Sequence, residues 1–186
     1  MRKAIAVLMA LLAAGLFGCG NLAVSETQDV GDFNFSLSYG YEGRGNIDTF
    51  SNTLTKDLIR NGTETVSFVI PEEKMQDILD MFVVCKITEL PDDINAYAME
   101  SLQNDKGEPL DGSPLMTSTP ADSYTLTYTL SEETRTIVSH DGGPWDGIAG
   151  PPDAHQRLVQ FVDFVREYIY STEEYKQMSP ASGLYL

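Results

Sequence analysis

The 186-residue chain sets 28 Asp and Glu against 12 Lys and Arg, a formal net charge of −16. That balance excludes nucleic acid as a partner, because phosphates call for clustered basic side chains. It also disfavours lying flat on an anionic bilayer.

Arg2 and Lys3 open the chain, and residues 4–17 carry no charge. This apolar run is too short to span a membrane, which takes about 20 residues as a helix. A basic start, a short apolar middle and small residues at the end predict an export signal over residues 1–18. It ends Leu16-Phe17-Gly18-Cys19, which resembles the lipobox of bacterial lipoproteins, although Phe17 stands where a small residue is usual. The resemblance implies a diacylglyceryl group on the Cys19 sulfur and cleavage before Cys19. Two acyl chains hold a protein stably where one does not, at about 0.8 kcal/mol per buried methylene. Such an anchor would keep the chain on the extracytoplasmic face of the cell membrane. Without residues 1–18, which hold Arg2 and Lys3 and no acid, 10 basic side chains face 28 acidic ones, a charge of −18.

Residues 19–31 are polar and aperiodic and read as a tether, leaving 32–186 as a single α+β domain. Phe33, Phe35, Leu37 and Tyr39 alternate with polar residues, the period of a half-buried strand. Ile47 to Ile70 reads as strands, with a hairpin turn at Arg60-Asn61-Gly62-Thr63. A three-residue turn over 61–63 pairs Leu58 with Val66 and Leu54 with Ile70, with Gly62 left-handed. Pro71 suits the first position of a helix whose stripe is Met75, Ile78, Leu79, Phe82 and Cys85. Cys85 therefore belongs to the core. Residues 95–122 read as a long irregular connection.

Tyr124, Leu126, Tyr128 and Leu130 mark the clearest strand, with threonines on its other face, and "SEE" turns it into "TRTIVSH". Asp153 and Gln156 suggest a capping box for a helix with the inner stripe Leu158, Phe161, Val162, Val165 and Ile169. Ser171 and Glu174 suggest a second. The expected architecture is an antiparallel sheet with two main helices on one face and an open, hydroxyl-rich face opposite.

The densest polar group is "SHDGGPWDGIAGPPDAH", with His140, Asp141, Trp145, Asp146, Asp153 and His155. Imidazole with carboxylate suits a transition metal, but the spacing matches no ligand pattern. His140 offers a base for a nucleophilic serine, yet no G-x-S-x-G elbow is present. Trp145 lies among glycines and prolines, outside any strand or helix period. It is either an interaction anchor or a ring folded over the sheet end. His140, Asp141, Trp145 and Asp146 are the candidate recognition loop.

The leader, "DTFSNTLTKDLI", the Glu-rich helix followed by "LPDD", and the ending "TEEYKQMSPASGLYL" together resemble a family of small Gram-positive lipoproteins without an assigned activity. The resemblance implies location and little more. The expected function is a non-enzymatic domain, without cofactor or metal, that binds an envelope protein or cell-wall component. The alternative is a metal-dependent envelope hydrolase using the 140–155 group.

Overall fold

The computed structural model describes residues 30–101, 122–141 and 153–185. The leader, Cys19, Trp145 and Asp146 lie outside the described residues, as does most of the expected tether. Its last two residues, Val30 and Gly31, already belong to a 3-10 turn, Val30–Asp32.

Six strands follow the alternation expected of them: β1 (Asn34–Tyr39), β2 (Gly45–Asp48), β3 (Thr53–Asp57), β4 (Thr63–Ser67), β5 (Ser123–Leu130) and β6 (Glu133–His140). They form one antiparallel sheet in the order β4-β3-β2-β1-β5-β6. Phe35 and Leu37 of β1, Leu126 of β5 and Ile137 of β6 point to one face and are fully buried. Thr127 and Thr129 point to the other, where they bond across the strands to Thr136 and Thr134, each at 2.9 Å. The β5–β6 connection is a two-residue turn with positive φ at both Ser131 (49°) and Glu132 (69°), the form that matches strand twist.

The β3–β4 register corrects the expected one. Leu54 pairs with Val66 and Asp57 with Thr63, leaving residues 58–62 as the turn. Asp57 Oδ1 accepts from the Ile59 N–H at 2.9 Å, and the Leu58 N–H donates to the Gly62 carbonyl at 2.9 Å. The C-terminal tail then takes up the turn, with Arg60 N–H donating to the Ser182 carbonyl and Ser182 N–H to that of Leu58. The slip from the expected pairing is four residues, an even number, so every side chain keeps its face and alternation cannot detect it. Gly62 does adopt the left-handed conformation (φ 75°).

Helix α1 (Glu72–Val84) has Pro71 at its N-cap, one position earlier than expected, and buries Met75, Ile78, Leu79 and Phe82. Cys85 is its C-cap and is buried. Lys86, left-handed at φ 50°, turns the chain into the 3-10 turn Ile87–Glu89.

A second helix, α2 (Ile94–Ser101), occupies the start of what reads from sequence as an irregular connection. Asp93 Oδ1 accepts from the Ala96 N–H at 2.8 Å, and Ile94 and Asn95 are buried. Tertiary anchoring, rather than an apolar stripe, holds this short helix. The rest of that connection, 102–121, lies outside the described residues.

Helix α3 (Asp153–Ser171) buries its whole expected stripe and His155 besides. Asp153 is its first residue rather than its cap. Helix α4 (Glu173–Gln177) is capped by Thr172, whose side chain accepts from the Tyr175 N–H. The Ser171 hydroxyl instead donates back to the Tyr168 carbonyl at 2.6 Å.

Helices α1 and α3 meet the sheet around Phe82, whose ring lies 5.2 Å from Phe33, 4.8 Å from Tyr128 and 5.8 Å from Phe161, centroid to centroid. Arg157 of α3 joins the helices. Its Nε donates to the Cys85 carbonyl at 2.8 Å and its Nη2 to that of Lys86. This brings a cation to the negative end of α1.

Candidate functional site

The sheet has two ends. The chain enters through Val30–Asp32 where β1 begins, beside the β2–β3 and β5–β6 turns. The far end carries Tyr39, the 58–62 turn, the start of β5 and the close of β6. Two of the predicted recognition residues, His140 and Asp141, lie at this far end.

His140 is the last residue of β6, an edge strand. The segment before α2 covers that edge: the Val138 N–H donates to the Asp92 carbonyl at 2.8 Å. Arg135 supports the same segment, donating to the Thr88 carbonyl at 2.7 Å and the Leu90 carbonyl at 2.9 Å. Asn95 then replaces a strand partner. Its Oδ1 accepts from the His140 N–H at 3.0 Å, and its Nδ2 donates to the His140 carbonyl at 3.2 Å. These two backbone groups fix the amide orientation.

Ser139 and His155 form the buried centre. The Ser139 Oγ lies 2.8 Å from His155 Nδ1 and 3.2 Å from Asn95 Oδ1. On the other side of the ring, His155 Nε2 is 3.0 Å from Asp141 Oδ1. Asp141 Oδ2 accepts from the Tyr124 hydroxyl at 3.1 Å. Burial, and next the Asp141 charge, push the Tyr124 phenol well above its ordinary range. Asp122 joins through its carbonyl, which accepts from the Asp141 N–H at 2.8 Å. Burial and then Asp141 raise the Asp122 carboxyl, against a lowering by Arg166.

The Ser139 hydroxyl has one proton and two acceptors in reach. Donated to Asn95 Oδ1, it leaves its oxygen to accept from a proton on His155 Nδ1. With Nε2 facing the Asp141 carboxylate, the ring is then an imidazolium. Turned instead to Nδ1, it leaves a neutral ring with its proton on Nε2. The network accommodates either charge state by rotating one hydroxyl.

Ser, His and Asp in this order are the residue types of nucleophilic hydrolases, but Ser139 is only 4% exposed and stands next to the end of β6 between His155 and Asn95. The array ties α3 to the sheet through the Ser139–His155 contact. Of the 140–155 group, the structure brings together Asp141 and His155. It turns the ring of His140 towards Asn95, whose Nδ2 is 3.1 Å from Nδ1, and sets Asp153 against Arg157 at 3.4 Å. Among the described residues no cluster of three or more His, Cys, Asp or Glu could hold a metal ion. Sequence reading singled out neither Ser139, Asn95 nor Tyr124 as a site residue. The available signal was a histidine on the inward stripe of α3, which otherwise buries apolar side chains.

Beside this network, Arg166 lies 5.6 Å from the ring centroids of both Tyr39 and Tyr170 and donates to the Tyr170 hydroxyl at 3.2 Å. Among the described residues, open grooves also lie elsewhere. One of about 470 Å³ runs between α1 and α3, past Met81, Val159 and Phe164. One of about 240 Å³ sits at the entry end, past Phe33, Ile70 and Met75. Neither holds any predicted site residue. Comparison with protein-family models, curated proteins and solved structures finds no match.

Proposed function

We propose that this chain is an extracytoplasmic lipoprotein, anchored to the cell membrane through a diacylglyceryl group on Cys19, whose domain is a non-enzymatic binding module working at the far end of the sheet. The observation that carries the reading is the opposition of the two ends. The chain enters β1 at Asn34, while His140 and Asp141 lie where β1 has run out at Tyr39. The five steps from Asn34 to Tyr39, at about 3.4 Å each, separate the ends by about 17 Å. A tether to the bilayer at the entry end turns the His140–Asp141 end outward. The fixed amide of Asn95 and the paired carboxylate of Asp141 pre-organise that end, which lowers the cost of binding.

The anchor is tested by growing cells with radioactive fatty acid. The wild-type protein takes up label and Cys19→Ala does not; equal labelling of both overturns the anchor. The binding end is tested by a photoreactive residue placed at 140 or at Phe50, which is exposed near the entry end. Crosslinks at 140 and none at 50 are expected, and the reverse pattern overturns the orientation.

A further inference from the structure

The open face of the sheet has an unusual chemistry for so acidic a chain. The outward positions of β4 and β5 are all threonine or serine, and those of β6 are Thr134, Thr136, Val138 and His140. No Lys, Arg or Glu of the six strands stands on this face, because alternation puts Lys56, Glu64, Glu133 and Arg135 on the helix side. Its two carboxylates are occupied locally. Asp48 Oδ1 accepts from the Phe50 and Ser51 N–H groups, and Asp57 Oδ1 from that of Ile59.

The hydroxyls are paired: Thr55 with Thr65 at 2.8 Å, and Thr127 with Thr136 and Thr129 with Thr134 at 2.9 Å. Two hydroxyls sharing one hydrogen bond have one proton left over, so each pair offers an outward donor as well as lone pairs. The two pairs on β5 and β6 lie about 6.8 Å apart along the strands, and the Thr55–Thr65 pair lies across β1 and β2 from them. The threonine methyls between them form small apolar patches. Among the described residues no helix packs on this side.

That chemistry selects a partner class. Protein interfaces draw their energy from buried aromatic and arginine anchors, and the outward strand positions supply neither. Nucleic acids and anionic lipid surfaces call for clustered basic groups, whereas these positions hold only His140 at the far edge. A small ligand needs a concavity, whereas a broad sheet face suits an extended polymer. We propose that the open face binds an uncharged glycan strand, whose hydroxyl and amide groups meet the threonine pairs and whose ring C–H faces meet the threonine methyls. Neutrality on the face matches neutrality in the polymer and avoids desolvating charge. The proposal rests on the extracytoplasmic reading for where the chain meets a cell-wall glycan.

The test is co-sedimentation of the purified full chain in detergent with cell-wall sacculi stripped of anionic polymers, and with chitin as a second neutral glycan. The wild type is expected to sediment with the sacculi. Replacing Thr127 and Thr136 together by Glu puts charge at the centre of the face and is expected to weaken retention about tenfold. Gln160→Glu, on the exposed side of α3, is expected to change nothing. If the Glu pair lowers the melting temperature, the Thr127→Val, Thr136→Val pair keeps shape and strand preference while removing the hydroxyls, and it too is expected to lose retention. Retention on chitin alone places the source outside the sacculus but keeps the glycan chemistry. Absence of wild-type retention on both polymers, or equal retention by the valine pair, overturns the proposal. Fatty-acid labelling of Cys19 is independent of this result, so failure of the anchor and failure of the glycan face are distinguishable.

Discussion

Asn95 pairs with His140 as a neighbouring strand would, accepting from its N–H at 3.0 Å and donating to its carbonyl at 3.2 Å. The same Oδ1 lies 3.2 Å from the Ser139 hydroxyl. One side chain therefore closes the sheet edge, holds α2 against it and orients the hydroxyl that faces His155. Asn95→Ala removes the two backbone bonds and the Ser139 contact from a buried setting, at about 1 kcal/mol net for each, together with the contact to His140 Nδ1. Stability should fall by about 2–3 kcal/mol, read from the midpoint of denaturant unfolding. Asn95→Asp should also be destabilising, because it keeps the acceptor and loses the donor to the His140 carbonyl. A loss below about 0.5 kcal/mol in the alanine variant, the level of an ordinary surface change, would show that the clamp is not formed.

Cys85 is 2% exposed at the end of the α1 stripe. Burial pushes its thiol up, against a lowering by Arg157. Since the thiolate is the reactive form, a thiol reagent should modify Cys85 only as the protein unfolds, at a rate that follows unfolding. Rapid modification of the native protein would place the stripe on the wrong face of α1.

Asp122 gives a pH-dependent test. Burial first, then the Asp141 charge, raise its carboxyl above the ordinary range, opposed by Arg166. A carboxyl with a higher pKa in the folded than in the unfolded state favours folding when protonated. That contribution is complete below the unfolded-state value and is lost as pH rises through the folded-state value. At neutral pH the ionised group therefore opposes folding. Asp122→Asn keeps the backbone carbonyl that accepts from Asp141, so it should melt higher than wild type at about pH 7, with the difference shrinking towards about pH 4. A lower melting temperature at neutral pH, or a difference independent of pH, would contradict the assignment.

The β5–β6 turn holds two L-residues in the left-handed region, Ser131 at φ 49° and Glu132 at φ 69°. Left-handed backbone costs an L-residue about 1–2 kcal/mol, which glycine avoids while losing more chain entropy on folding. Glu132→Gly should therefore raise stability by about 0.5–1 kcal/mol. Thermal melting measures it, and a destabilised variant would mean that Glu132 makes an interaction worth more than the backbone relief.

What is legible in the sequence is whatever local period governs. Strand alternation in β1 and β5 and the 3–4 spacing in α1 and α3 specify which side chains are buried. From these follow the antiparallel sheet, the helices on one face and the hydroxyls on the other. The helix ends are less legible: Pro71 and Thr172 cap where an earlier start and Ser171 were expected, because neighbouring residues of similar capping ability compete within one turn. The β3–β4 register is a tertiary matter, since an even slip preserves both faces and the choice falls to Asp57, Leu58 and a tail residue, Ser182, far along the chain. So is the formation of α2, a short helix held by Ile94 and Asn95 docking on β6. Folding also assembles Ser139, His155, Asp141 and Tyr124, contributed by two strands, a helix and the residue after β6. Their hydrogen bonds depend on distances across the fold, and no spacing along the chain encodes them.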